Sequence, residues 1–266
     1  MNKQSSYVPK GLYPFKTKLI ISLSLIVVIS FYLISSIRTE SFIWHFFVKF
    51  PNVIGLIGDF FPPDWSYLDQ VWPKLFETIH MAIIATTIAV IISIPFSLLT
   101  ANNVTTNTWI YQFMRFLLNI TRTIPDIILA VVFVGLFGIG AFSGIIALII
   151  FAIGILVKLM SEVIETIDMN PTEAIRASGG NGLQTISFAI VPQVLPQFIS
   201  FSLYVFEINI RASLVLGLVG AGGIGQLLNK EINFMNYPAV STIIIIVFAV
   251  VVIIDYISGK LREGLV

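Results

Sequence analysis

The sequence predicts an all-α, polytopic membrane protein with about six transmembrane helices, and three observations predict it. Hydrophobic residues make up 57% of the 266 and charged residues only 11%, whereas a water-soluble domain needs roughly 25% charged residues to solvate its surface. The mean hydropathy is +0.96. The apolar residues gather into runs close to the roughly 20 residues a bilayer-spanning helix requires. Polar residues fall between those runs. Other classes recede on the same data: the net charge of +1 offers no basic field for nucleic acid. The absence of cysteine removes disulfides, thiolate metal sites and cysteine nucleophiles. His45 and His80 lie too far apart in sequence to suggest a metal site.

Residues 19–37 form the first expected span. Lys3, Lys10, Lys16 and Lys18 precede it, as they would a signal peptide, but the run is long and ends in Ile37-Arg38-Thr39-Glu40. No small-residue cleavage site follows, so an uncleaved span is expected. Residues 38–76, with Pro51, Pro62-Pro63, Trp44, Trp65 and Trp72, read as a loop or interfacial segment, where tryptophans suit the headgroup layer. Residues 77–101 form the second span, interrupted at Pro95. The third starts at Tyr111, carries Arg115 and Arg122 on one helix face near the inner surface, and breaks at Thr123-Ile124-Pro125-Asp126. Gly138-Ile139-Gly140 reverses the chain into a fourth span with a polar exit at Lys158, Glu162, Glu165 and Asp168. Residues 193–218 form the fifth span, a glycine-rich stretch runs to Gly225, residues 226–238 are polar again, and residues 239–257 form the sixth.

Lysine and arginine placement sets the orientation. With the N-terminus inside, the inner segments hold Lys3, Lys10, Lys16, Lys18, Arg115, Arg122, Lys158, Arg176, Lys260 and Arg262, and the outer ones only Arg38, Lys49, Lys74 and Lys230. Both termini and residues 168–192 are therefore expected on the cytoplasmic side.

The most polar helical signal in the centre of the chain begins at Asn170, an expected N-cap followed by Pro171 in the first turn and Glu173 three residues on. Gly179-Gly180 ends that helix, and a second helical run, 183–189, leads to Val191-Pro192. Nothing matches the phosphate-cradling Gly-x4-Gly-Lys-Ser/Thr loop, so ATP hydrolysis by that route would belong to another polypeptide.

The fifth span carries Glu207, Asn209, Arg211 and Ser213. A charge at membrane depth costs roughly 2.5–3.5 kcal/mol on insertion scales, so it pairs or faces a watery path. Glu207 and Arg211 are four residues apart and share a helix face. They suit either an ion pair that locks helix packing or a translocation path where Arg211 or Asn209 meets an anion. Gly220-Ala-Gly222-Gly223-Ile-Gly225 matches G-x-G-x-x-G, but without the strand–helix–strand context of a dinucleotide fold. A gate hinge or a close helix approach remains for them.

The run Glu173-Ala174-Ile175, Gly179 and Val191-Pro192 resembles the EAA loop of ABC importer permeases. Glu207-x-Asn209-Ile-Arg211-Ala-Ser213, the Gly220–Gly225 block, Arg122-Thr-Ile-Pro125 and Gly138-Ile-Gly140 resemble, more narrowly, phosphonate importer permeases. The likeness runs over residues 75–260. It implies a type I importer-like transmembrane domain at 71–266, with a cytoplasmic coupling loop at 168–192. Residues 1–70 would supply the tail, first span and outer loop.

It further implies a multi-pass subunit of a bacterial cell membrane, with no active site, cofactor or metal of its own. ATP and magnesium would sit on partner ATPase subunits docked at Glu173, Ala174, Arg176, Gly179 and Pro192. A second permease subunit, identical or paralogous, would complete the path. An extracytoplasmic binding protein would deliver phosphonate or a related oxyanion. Methionine, phosphate or another solute, or an ion-coupled secondary transporter, stand as alternatives.

Overall fold

The computed structural model describes residues 15–39 and 43–264, without the side chains of 43–46, 49, 52 and 53. The expectations placed on Lys3, Lys10 and Glu40, and on the side chains of Trp44, His45 and Lys49, lie outside that description. The chain divides into two compact units, Met1–Gly58 and Asp59–Val266. The first contains α1 (Phe15–Arg38), a 24-residue apolar helix, and most of α2 (Ile43–Asp59). The segment expected to be a loop or interfacial stretch is thus largely helical: α2 runs 17 residues through Pro51.

In the second unit Asp64 accepts a hydrogen bond from the Ser66 amide, opening a tight turn at Trp65–Tyr67 that leads into α3 (Leu68–Thr100). The helix therefore starts nine residues before the expected Glu77. Pro73 forfeits one backbone bond, but Val71 and Leu75, one turn apart, are buried, and burial outweighs the loss. Pro95 does not interrupt α3 either.

Then come α4 (Thr108–Thr123), whose first turn is capped by Asn107, and α5 (Asp126–Phe137), bent from α4 by 87° at Ile124-Pro125. The cause is local: Pro125 has no N–H to continue the ladder and pushes Ile124 to an extended conformation. Gly138 and Gly140, at φ +91° and +147°, turn the chain into α6 (Ala141–Thr166). After it lie α7 (Asn170–Ala177), α8 (Gly182–Thr185), α9 (Val191–Leu218), α10 (Gly223–Asn233) and α11 (Tyr237–Glu263). The stretch expected to be merely polar, 226–238, is mostly α10.

Among the described residues five helical segments are long and apolar enough to cross a membrane. They are Phe15–Arg38, Trp65–Thr100, Ala141–Thr166, Gly182–Asn233 and Tyr237–Glu263. The bent α4–α5 pair makes a sixth if counted as one broken span. This agrees with the expected helical class and span number.

The core of the second unit stacks along α3, α6 and α9. Met81, Ala85, Ala147, Leu148, Ala212 and Leu216 pack at one level. Ala89, Ala152, Leu156 and Val205 fill the middle, and Ala101, Met160, Ile164, Ile190 and Val194 the far end, beside α7. Ala82, Ala85 and Ala89 are fully buried on α3, and such small side chains let helix backbones approach. The contacts run in register down α3 and α6 and in reverse along α9, so α9 is antiparallel to both.

Candidate functional site

The expected coupling segment folds as two short helices. Asn170 is not the cap of α7: Met169 occupies that position, and Asp168 accepts the Asn170 amide at 3.0 Å. A carboxylate two residues upstream takes the role expected of the asparagine, which sits inside the first turn with Pro171. Glu173, Ala174 and Arg176 follow within α7 and are not buried. Gly179 ends the helix at φ +87°, the left-handed turn glycine adopts without a Cβ clash.

Asn181 opens α8 with a reciprocal cap, in which Asn181 Oδ1 accepts the Gln184 amide at 2.9 Å and Gln184 Oε1 accepts the Asn181 amide at 2.8 Å. Leu183 and Phe188, among the most exposed apolar side chains here at 77% and 72%, follow α7, and Phe188 lines a surface hollow with Ala174 and Ile175.

From α8 the helix continues into α9 through a wide π turn at Ile186–Ile190, where the Val191 amide reaches back five residues to the Ile186 carbonyl. Pro192 follows in the first turn of α9 and Pro196 lies inside it, each without an N–H to give the usual ladder. Gln193 ties this junction to α7. Its amide nitrogen donates to the Asp168 carbonyl at 3.1 Å and its oxygen accepts the Asp168 amide at 3.1 Å. Sequence reasoning missed Gln193.

Two turns or more beyond lies the charge cluster. Arg211 Nη2 donates to Glu207 Oε1 at 2.6 Å, the pairing the four-residue spacing anticipates. The structure adds two members from α11: Asp255 also accepts from Arg211, and Arg262 Nη2 donates to Glu207 Oε2 at 3.0 Å. Arg262 is therefore not a free cation at the end of the chain. A signal for Asp255 existed, because an acid inside the sixth apolar run demands a partner. Asp255 and Arg262 are also seven residues apart, on one helix face.

Asn209 and Ser213 do not share this cluster. Both are fully buried; Asn209 Nδ2 donates to Thr86 Oγ1 on α3 at 2.8 Å, and Ser213 Oγ to the Ile210 carbonyl at 2.7 Å. Consecutive odd positions on a helix point about 200° apart, so Asn209 faces α3 while Glu207 and Arg211 face α11.

The glycines are packed against neighbours. The Gly140 amide donates to the Gly220 carbonyl at 2.9 Å. Gly222 and Gly223 have φ +83° and +70°, and a Cβ on Gly225 would stand 2.0 Å from the Leu214 carbonyl oxygen. From α3, Glu77 Oε1 accepts the Gly223 amide at 3.0 Å and Thr78 Oγ1 the Ile224 amide at 2.8 Å, capping α10 across the fold. Close backbone approach, one of the two expectations, is present at Gly222 and Gly225.

The two arginines expected on one helix are both on α4 and have different neighbours. Arg115 bridges to Glu165 at 2.9 Å. Arg122 lies beside Gly154, about 18 Å along α6 from its end at Thr166. Lys158 and Glu162 pair at 2.6 Å as the spacing anticipates.

Comparison with known proteins fits this arrangement. Residues 93–262 match the family model of the binding-protein-dependent transport system inner membrane component. The phosphite transport system permease protein PtxC of Stutzerimonas stutzeri is 38% identical over 80% of this chain and 78% of its own length. The phosphate-import permease protein PhnE of Mycolicibacterium smegmatis is 38% identical over 82% of this chain, which spans only 41% of that longer protein. In three dimensions the chain superposes with a TM-score of 0.67 on a membrane subunit from inward-facing conformations of the MetNI methionine ABC transporter. That match covers 76% of this chain and 99% of that one at 21% identity, a likeness of fold. A helical chain with several apolar spans, a short polar helix pair between two of them and a family match across both belongs to the binding-protein-dependent transport system inner membrane components, the multi-pass permease subunits of ABC importers.

Proposed function

We infer that this subunit forms the membrane path of an ATP-driven importer for phosphonate, phosphite or phosphate. The observation that carries the cargo class is the 38% identity to a phosphite permease across most of both chains. ATP and magnesium belong on partner ATPase subunits, and an extracytoplasmic binding protein delivers the anion. A second permease subunit, identical or paralogous, completes the path.

Geometry supports a mechanical role for α7. Glu173, Ala174 and Arg176 offer the ATPase an exposed face, and exposed Phe188 lies beside Ala174. Gly179 permits the turn that follows. Movement of α7 reaches α9 by two routes, the Gln193 clamp on Asp168 and the continuous π turn into Pro192. In α9 it meets Glu207 and Arg211, with Asn209 and Ser213 fixing the opposite face. Gly220, Gly222, Gly223 and Gly225 close the outer end of the path.

The test is uptake by proteoliposomes holding this chain, its ATPase and its binding protein. Phosphonate, phosphite or phosphate should accumulate with ATP. Glu173→Ala and Gly179→Val should each remove most uptake while the protein stays folded in the membrane. Full uptake by both variants would end the coupling assignment. A complex that accumulates methionine and none of the phosphorus oxyanions would end the cargo assignment.

A further inference from the structure

The four charges between α9 and α11 are unequal, and the inequality suggests a function. Glu207 is the fixed member: its side chain is only 9% exposed, and its two oxygens take Arg211 and Arg262. Asp255 has fewer partners. It is 36% exposed and receives only Arg211, while its second oxygen, Oδ1, is buried without a hydrogen-bond partner. Arg211 is the most exposed of the four at 45%, against 30% for Arg262. It also lines a cavity of about 280 Å³ whose other walls, including Leu214, Ile224, Leu228, Ile243 and Val247, are apolar. The two arginines and two acids sum to zero charge, so Arg211 offers an entering anion no net field while Asp255 is in place.

We propose that Asp255 is the internal counter-ion of Arg211 and a specificity-determining residue for anion passage. A small tetrahedral oxyanion takes the place of the Asp255 carboxylate on the Arg211 guanidinium, and Asp255 returns as the anion leaves. A guanidinium presents paired donors that fit carboxylate and phosphate alike, so one can substitute for the other without rebuilding the site. Glu207, doubly held, keeps Arg211 in position throughout. The returning carboxylate prevents the path from retaining its cargo, which a translocation site must release.

The inference rests on the importer reading, and the experiment separates the two. The complete complex, with its ATPase but without binding protein, is equilibrated with radiolabelled inorganic phosphate in lipid-free detergent. The measurement is repeated after phosphatidylglycerol is added. Turnover is measured separately with the binding protein in proteoliposomes.

Asp255→Asn leaves one uncompensated positive charge. It should bind phosphate at least about fivefold more tightly, the lower scale for one unit charge at contact distance, and turn over more slowly. Asp255→Glu, which keeps the charge, should behave as wild type. Unchanged phosphate binding in Asp255→Asn overturns the proposal, as does its failure to assemble, which would make the pair a structural clasp. Phosphatidylglycerol abolishing the gained phosphate binding would assign the site to a lipid headgroup and overturn it too. If the wild-type complex transports no phosphorus oxyanion at all, the importer reading fails first.

Discussion

At the scale of single residues, close packing decides more than charge does. Gly225 sits where an added Cβ would lie 2.0 Å from the Leu214 carbonyl oxygen and 2.9 Å from the Gly217 Cα. Both neighbours are backbone, which cannot rotate aside. Gly225→Ala should therefore cost at least the roughly 1–3 kcal/mol typical of overpacking, read as a clear fall in melting temperature in detergent. Gly179→Ala has open space around it, so its cost should come only from the φ of +87° and stay near 1 kcal/mol. Equal losses at the two positions would contradict this packing. The Glu207–Arg211 pair was legible at this scale because a four-residue spacing is a local property. That Asp255 needs a partner was legible too, but its meeting with Arg211, and that of Arg262 with Glu207, was not, because nothing in the sequence states that α11 returns alongside α9.

Among elements, α7, α8 and α9 show how short polar segments acquire direction. Removing the Asn181 cap should destabilise α8 by about 0.5–2 kcal/mol. Hydrogen exchange in the Asn181→Ala variant should rise within 181–190 and remain unchanged in α6. Gln193→Leu deletes both hydrogen bonds to Asp168 yet leaves the helix continuous. We expect ATP hydrolysis by the complex to continue while transport per ATP falls several-fold. Transport per ATP at the wild-type level would show that the clamp carries no motion. The presence of α7 could be read from Pro171 and Gly179. Its cap could not, since Asp168 and Asn170 are both good acceptors and only the chain direction after Ile167 selects between them.

The molecule as a whole depends on where each span enters and leaves the bilayer. Native cysteine is absent, so single introduced cysteines report topology without background. Ser178→Cys should react with an impermeant maleimide only in inside-out vesicles, and Lys230→Cys only in right-side-out ones. Both labelling from the same side would invalidate the topology. The two ends of the second unit gather different residues. Residues 101–107, 164–170 and 186–194 meet around Glu165, Asn103 and Gln193. The opposite end gathers Glu77, Thr78, Gly140 and Gly220–Gly223.

The sequence by itself determined the helical membrane class, the number of spans and the polar helix after α6, because hydropathy and proline or glycine breaks act through the nearest few residues. Tertiary structure alone decided where α3 begins, that α10 is a helix capped by α3, and that Arg122 packs beside Gly154 of α6. In each case burial or a partner distant in sequence outweighed local preference. It also turned one ion pair into a neutral group of four, since a charge in a membrane takes whichever opposite charge the fold brings within reach.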